Sequence, residues 1–281
     1  MRIARVHLLL LSSALVPACA IPGDAAWSDT HVSAYAAGFA LSLEVDSSNL
    51  SVPASGAVGA LSGAFSVNSE RSYTTQYGVR IGFAHFEVSI SRFNNNTTQD
   101  GVISGNGGFF LGEALVGDLK VDSTFDIDST KIILGVDILN TSLGRVAVLG
   151  GLDLFNFNQF KFAAQEANGA NIVAGSFQNV LVNQGVPVPI IGVRADIYIP
   201  DTDLRVGAEM MGVSVSIDEI DGVDAVFIDY DFNLNFEIFT NGEAVIGYRS
   251  IDLSIDGSID NILINMDLNM SGPYFGVALY F

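Results

Sequence analysis

Ile228-Asp229-Tyr230-Asp231-Phe232-Asn233-Leu234-Asn235-Phe236-Glu237-Ile238 puts every large apolar side chain on one parity and every acid or amide on the other. A period of two held over eleven residues is a strand signal that a helix cannot imitate. Eleven residues is also about the length that a tilted strand needs to cross hydrocarbon. The pattern recurs on both sides of this stretch. Tyr73, Tyr77, Val79, Ile81 and Phe83 oppose Thr74, Gln76, Gly78, Arg80 and Gly82. Ile132, Leu134, Val136 and Ile138 oppose Lys131, Gly135 and Asp137. Val146, Val148, Leu152 and Leu154 oppose Arg145, Gly151 and Asp153. Ile191, Val193 and Ile197 oppose Gly192, Arg194 and Asp196, and Leu204, Val206 and Met210 oppose Arg205, Gly207 and Glu209.

These segments define ten strands, near 31–45, 73–83, 86–93, 125–138, 145–157, 187–199, 204–216, 226–238, 243–256 and 262–281. The pattern admits eight to twelve. Periodicity alone does not say which face is wet. A soluble sandwich buries its apolar face, whereas a membrane barrel turns it to lipid and encloses the polar one.

Two features favour the barrel. The connections alternate: Ala84-His85, the stretch around Asn140 to Gly144, Pro200 to Asp203 and Thr240-Asn241-Gly242 are short. Those near 46–72, 94–124 and 158–186 are long, with shorter pieces at 217–225 and 257–261. Short turns at one end and long loops at the other are the plan of a transmembrane barrel. The polar faces also mix Arg and Lys with carboxylates: Arg80, Glu87, Lys131, Asp137, Arg145, Asp153, Arg194, Asp196, Arg205, Glu209, Asp229, Asp231 and Glu237. Such a set suits a narrow lumen, where charges must pair because an unpaired buried charge is costly.

The end of the chain adds a third. Phe275, Val277, Leu279 and Phe281 alternate with Gly276, Ala278 and Tyr280 to the last residue. The ending Gly272-Pro273-Tyr274-Phe275-Gly276-Val277-Ala278-Leu279-Tyr280-Phe281 resembles the C-terminal signature of small Gram-negative outer-membrane β-barrel proteins. The resemblance implies an all-β, closed antiparallel transmembrane barrel with short periplasmic turns and long outer loops. It implies outer-membrane lipid and lipopolysaccharide as surroundings. It also implies the barrel-assembly machinery as a partner, reading Phe281 with Leu279, Val277 and Phe275 as its supporting face.

Three segments break phase: 125–138 near Thr130, 204–216 near Met211-Gly212, and 243–256 at Arg249 if Ile251, Leu253 and Ile255 face lipid. Bulges that shift parity by one residue are the expectation there.

The N-terminus reads as a leader. Arg2 and Arg5 precede an apolar run from Leu8 to Val16 and a small-residue site at Ala18-Cys19-Ala20. Cleavage there makes 1–20 a signal peptide and 21–281 the barrel, and removes the single cysteine. A lipoprotein acylated at Cys19 is the competing reading, which Pro17 fits poorly. Loss of both arginines takes the net charge from −19 to −21, so nucleic acid is not an expected partner. No later run is long and apolar enough for a transmembrane helix.

Chemistry is sparsely signalled. After the leader only His31 and His85 remain, both expected at the short-turn rim. His85, Glu87 and Ser89 share one strand face and make a formal acid/base set for a lipid- or peptide-processing hydrolase. That spacing arises readily by chance, and two ordinary lumen residues after a turn histidine is the plainer reading. Asp218, Glu219, Asp221 and Asp224, with Asp256 and Asp260, give hard oxygen ligands suited to Ca or Mg on outer loops, without EF-hand spacing. Gly105-Asn106-Gly107-Gly108 lacks the Lys-Ser/Thr of a phosphate loop. About eight strands are filled by side chains and a water-filled porin needs roughly 16, so ten strands exclude a wide channel. The expectation is a non-enzymatic barrel without a cofactor, structural or surface-interacting, with passage limited to small solutes. The alternatives are the hydrolase and a secreted β-sandwich binding protein.

Overall fold

In the computed structural model the described residues are 31–52, 61–68, 72–103, 109–110, 113–114, 119–164, 176–179, 186–217, 223–259 and 262–281. The expected leader, the glycine run at 105–108, and Asp218, Glu219, Asp221 and Asp260 lie outside them. Ten strands form a ring: β1 (His31–Val52), β3 (Ser72–Phe83), β4 (Phe86–Ile103), β7 (Leu119–Thr141), β8 (Gly144–Ala164), β10 (Val186–Tyr198), β11 (Leu204–Ile217), β12 (Val223–Phe239), β13 (Gly242–Ile259) and β14 (Ile262–Tyr280). Short pieces sit on the wall above it: β2 (Leu61–Asn68), β5 (Phe109–Phe110), β6 (Glu113–Ala114) and β9 (Ser176–Asn179).

Every ring strand pairs antiparallel with its neighbours, and β14 pairs with β1 to close the circle. At the seam Phe281 N–H donates to Val32 C=O at 2.8 Å, and Val32 N–H to Phe281 C=O at 3.4 Å. Closure leaves no sheet edge along the apolar belt, where an unpaired amide would cost several kcal/mol (about that for each group). The soluble-sandwich alternative is therefore overturned: there is one closed sheet and no second layer.

The greasy parity faces out. Phe232, at 58% exposure, Leu234, Phe236 and Ile238 project from β12. Tyr77, Val79 and Ile81 on β3, Leu134 on β7, Val193 on β10 and Phe275 on β14 continue the belt. Only hydrocarbon can cover such a surface without a large hydration penalty.

The strands run further than their sequence reading. Segments expected as outer loops at 94–103 and 119–124 extend β4 and β7. The phase breaks are not bulges. On β7 the inward series Val121, Ser123, Phe125, Ile127, Ser129, Lys131 and Ile133 keeps one parity throughout. What changes near Thr130 is the surroundings. Below it the outside is apolar and the inside charged; above it Lys120, Asp122, Asp126 and Asp128 face out while Val121, Phe125 and Ile127 face in. On β11 the inward series passes from Arg205 and Glu209 to Met211 and Val213 with no change of parity. On β13 Ile251 and Leu253 face the interior with Arg249, not lipid, so Arg249 needs no special placement. Register does shift elsewhere, at Asp137/Leu139 between β7 and β8 and at Glu237/Phe239 between β12 and β13. The barrel is thus a membrane barrel below and a water-washed barrel with an apolar core above.

Candidate functional site: the barrel lumen

The lower lumen is an ionic tier. Glu87, only 1% exposed, sits where β4 enters from the Ala84-His85 turn. Ala84 takes the left-handed φ of 52° that so tight a connection demands. Arg145 Nη2 donates to Glu87 Oε2 at 2.8 Å and its Nε to Asp137 at 2.6 Å. Arg194 pairs with Glu87 Oε1, while its Nε donates to Glu209 at 2.7 Å. Arg80 Nε lies 3.3 Å from Glu87. Beside this group Arg205 and Tyr280 both donate to Glu243 at 2.7 Å, and Asp196 lies 3.8 Å from Arg205.

One level higher, Asp229 accepts both arms of Arg249, at 2.9 and 2.8 Å, and also pairs with Lys131. Arg249 donates further to Gln76 at 2.6 Å. Asp153 accepts from Ser129 at 2.6 Å and lies 3.9 Å from Lys131. Asp231 is held by Tyr274 at 2.9 Å and Asn233 at 2.7 Å. Between the two levels lies a polar cavity of about 150 Å³ touched by Tyr35, Gln76, Arg80, Glu209, Asp231 and Arg249. A cavity of that size with that lining accommodates water.

Above the charges the lumen is apolar. Phe39 lies 4.7 Å from Tyr274 and 6.1 Å from Phe93, and Phe155 meets Phe227 at 5.3 Å. The Arg249 guanidinium sits 5.8 Å over Phe93 and joins the two tiers. Leu43, Val121, Phe125 and Ile127 are at 0% exposure.

Of the residues expected in the lumen, twelve face inward as described; Glu237 instead lies exposed at the short-turn rim. The charged set read from the sequence left out Glu243 and Arg249, and it gave no part in the network to Gln76, Tyr274 and Tyr280, although Gln76 and Tyr280 were read on the polar parity. Their signal was parity: each lies on the face opposite a lipid-facing neighbour such as Tyr248 or Phe275. His85, Glu87 and Ser89 do not assemble into an acid/base set. His85 is exposed on its turn, Ser89 is buried, and both oxygens of Glu87 are engaged by guanidinium groups. Among the described residues no three His, Cys, Asp or Glu side chains are placed to hold a metal. Asp224 and Asp256 lie opposite one another on β12 and β13, exposed.

No protein-family model and no curated relative matches the chain. Among solved structures it is similar to the outer membrane protease OmpT from Escherichia coli, with TM-score 0.58 at 9% identity over 94% of this chain and 100% of that one. Neisserial surface protein A also matches, with TM-score 0.32, 11% identity and cover of 90% and 97%. So does Ail of Yersinia pestis, with TM-score 0.33, 10% identity and cover of 89% and 99%. At these identities the likeness shows the fold, that of an outer-membrane β-barrel.

Proposed function

We propose that the protein is a non-conducting, non-enzymatic barrel of the bacterial outer membrane that acts at the cell surface through its raised outer rim. The observation that carries this reading is the doubly filled lumen. Paired charges occupy the half within the membrane, and an apolar core occupies the half above it. Inward charges paired with one another and a packed apolar core above them are what support a lumen that does not conduct. The upper half is too long to be a turn region. Residues 119–130 of β7 rise roughly 30 Å above the apolar belt at about 3.3 Å per residue and a tilt near 40°. Such a wall carries the rim clear of the lipid headgroups, toward the sugars of lipopolysaccharide or a partner outside the cell.

Planar-bilayer recording of the refolded full chain tests the sealed lumen. Silence is expected, and discrete, reproducible conductance steps would overturn it. Mass spectrometry of a peptide mixture and of lipid A after incubation with the barrel tests the second part. Unchanged spectra are expected, and a defined cleavage product would make the protein an enzyme.

A further inference from the structure

Among the described residues the wall has a notch between β10 and β11. The β10–β11 ladder runs from Tyr198↔Arg205 up to Ile191↔Gly212 and stops, although β10 continues up to Val186 on its β8 side and β11 to Ile217 on its β12 side. The cause lies in Val186-Pro187-Val188-Pro189-Ile190. Tyr198 N–H donates to Leu143 on the β8 side, so even-numbered residues of β10 point their amides toward β8 and odd-numbered ones toward β11. Pro187 and Pro189 therefore remove the donors that would face β11. In the register of this ladder they would stand opposite Ser216 and Ser214, whose amides and carbonyls point into the notch.

The two edges are unequal. That of β10 is blunted by its prolines. That of β11, Val213-Ser214-Val215-Ser216-Ile217, carries no charge and no proline, the usual guards of an open strand. Among the described residues no strand covers it. Unpaired backbone groups are intolerable in hydrocarbon, so the notch stands above the bilayer, where exposed Ser214 and Pro189 agree. Behind it Ile190, Met211 and Phe227 fill the core, with Val188 and Val213 half-buried at its margins.

We infer that the β10-facing edge of β11 is a strand-addition site for an extended cationic peptide segment of a partner protein. Backbone bonds to Ser214 and Ser216 would supply affinity, and alternate apolar side chains would rest on Val188 and Val213. The positive charge follows from the surroundings. Among the described side chains of the upper wall Glu44, Asp46, Asp100, Asp122, Asp126, Asp128, Asp224, Asp252, Asp256 and Asp267 face out against Arg92 and Lys120. The inference rests on the surface role proposed above by naming the kind of partner, yet it fails separately: conductance would sink that reading without touching the notch.

The test is fluorescence anisotropy with the full barrel in detergent. The probe is a short labelled peptide of alternating valine and threonine with a lysine at each end. Saturable binding is expected. A probe N-methylated at alternate residues should bind at least about tenfold more weakly. Ser214→Pro with Ser216→Pro should weaken the unmodified probe as much. Pro187→Val with Pro189→Val restores the missing donors, so it should extend the ladder, raise the melting temperature and also lose the probe. Heat-modified migration confirms that each variant is folded, and the stabilised pair keeps the test decisive if the serine variants do not fold. No saturation up to ~1 mM, or equal binding by wild type and the valine pair, overturns the proposal. So does a detergent-solution dimer that the serine variants dissolve, which would give the edge to a second copy.

Discussion

Asp229 holds two cations at once, Arg249 in a two-armed pair and Lys131 beside it, all buried. Removing the carboxylate takes from Arg249 its two-armed partner and leaves Lys131 with Asp153 alone, 3.9 Å away. Asp229→Ala should therefore cost roughly 3–5 kcal/mol, read as a lower urea midpoint for unfolding from lipid vesicles. Replacing the two-armed pair together, Asp229→Leu with Arg249→Met, should cost less than the single change, because Lys131 keeps Asp153 at 3.9 Å and no charge loses its last partner. A single variant as stable as wild type would show that the neighbouring cavity solvates the freed cations as well as Asp229 does. Asp229 was legible in the sequence because its flanks on both sides are large and apolar. Arg249 was not. Its neighbours of the same parity, Ile251 and Leu253, look lipid-facing until the strand is known to leave the membrane.

Strand β7 shows why element number was readable and element length was not. Leu119-Lys120-Val121-Asp122 alternates as cleanly as Leu134-Gly135-Val136-Asp137, but with the apolar residue on the opposite parity. A search for one greasy face ends where the greasy face turns inward. The chain itself does nothing unusual at Thr130; water replaces lipid outside, and so the useful composition inverts. Arginine scanning along the outward parity of β7 should trace this boundary. Leu134→Arg near the midplane should cost roughly 2–4 kcal/mol, whereas Thr124→Arg, on the wet side, should stay within about 1 kcal/mol. Equal costs at both positions would mean that the bilayer covers the whole wall. Phe125→Asp tests the inverse face, with a loss expected from placing a charge in the upper core.

Taken as one object, the barrel is a charged ring standing on an uncharged belt. Among the described side chains ten carboxylates face out above the belt against two cations, at and beyond the height of the lipid headgroups. A negative collar at that level is repelled by an anionic bilayer surface, and the repulsion reaches only about a Debye length, ~8 Å at physiological salt. Refolding into phosphatidylglycerol vesicles at low ionic strength should therefore be slower and less complete than into phosphatidylcholine vesicles of equal chain length. Raising the salt to about 0.15 M should close most of that difference. Magnesium should close it at far lower concentration, since a divalent ion can bridge collar carboxylates to lipid phosphates. The readout is the heat-modified fraction on a gel against time. If both lipids give the same rate at low salt, the collar does not contact the headgroup layer, and the apolar belt must sit deeper than Thr130 on β7 places it. The sign of the effect was readable from composition, since acids outnumber bases 31 to 12. Its location was not, because composition cannot tell a charge enclosed in the lumen from one on the outer wall. The fold makes that separation: among the described side chains it encloses six of eight cations and leaves the surplus acids facing water.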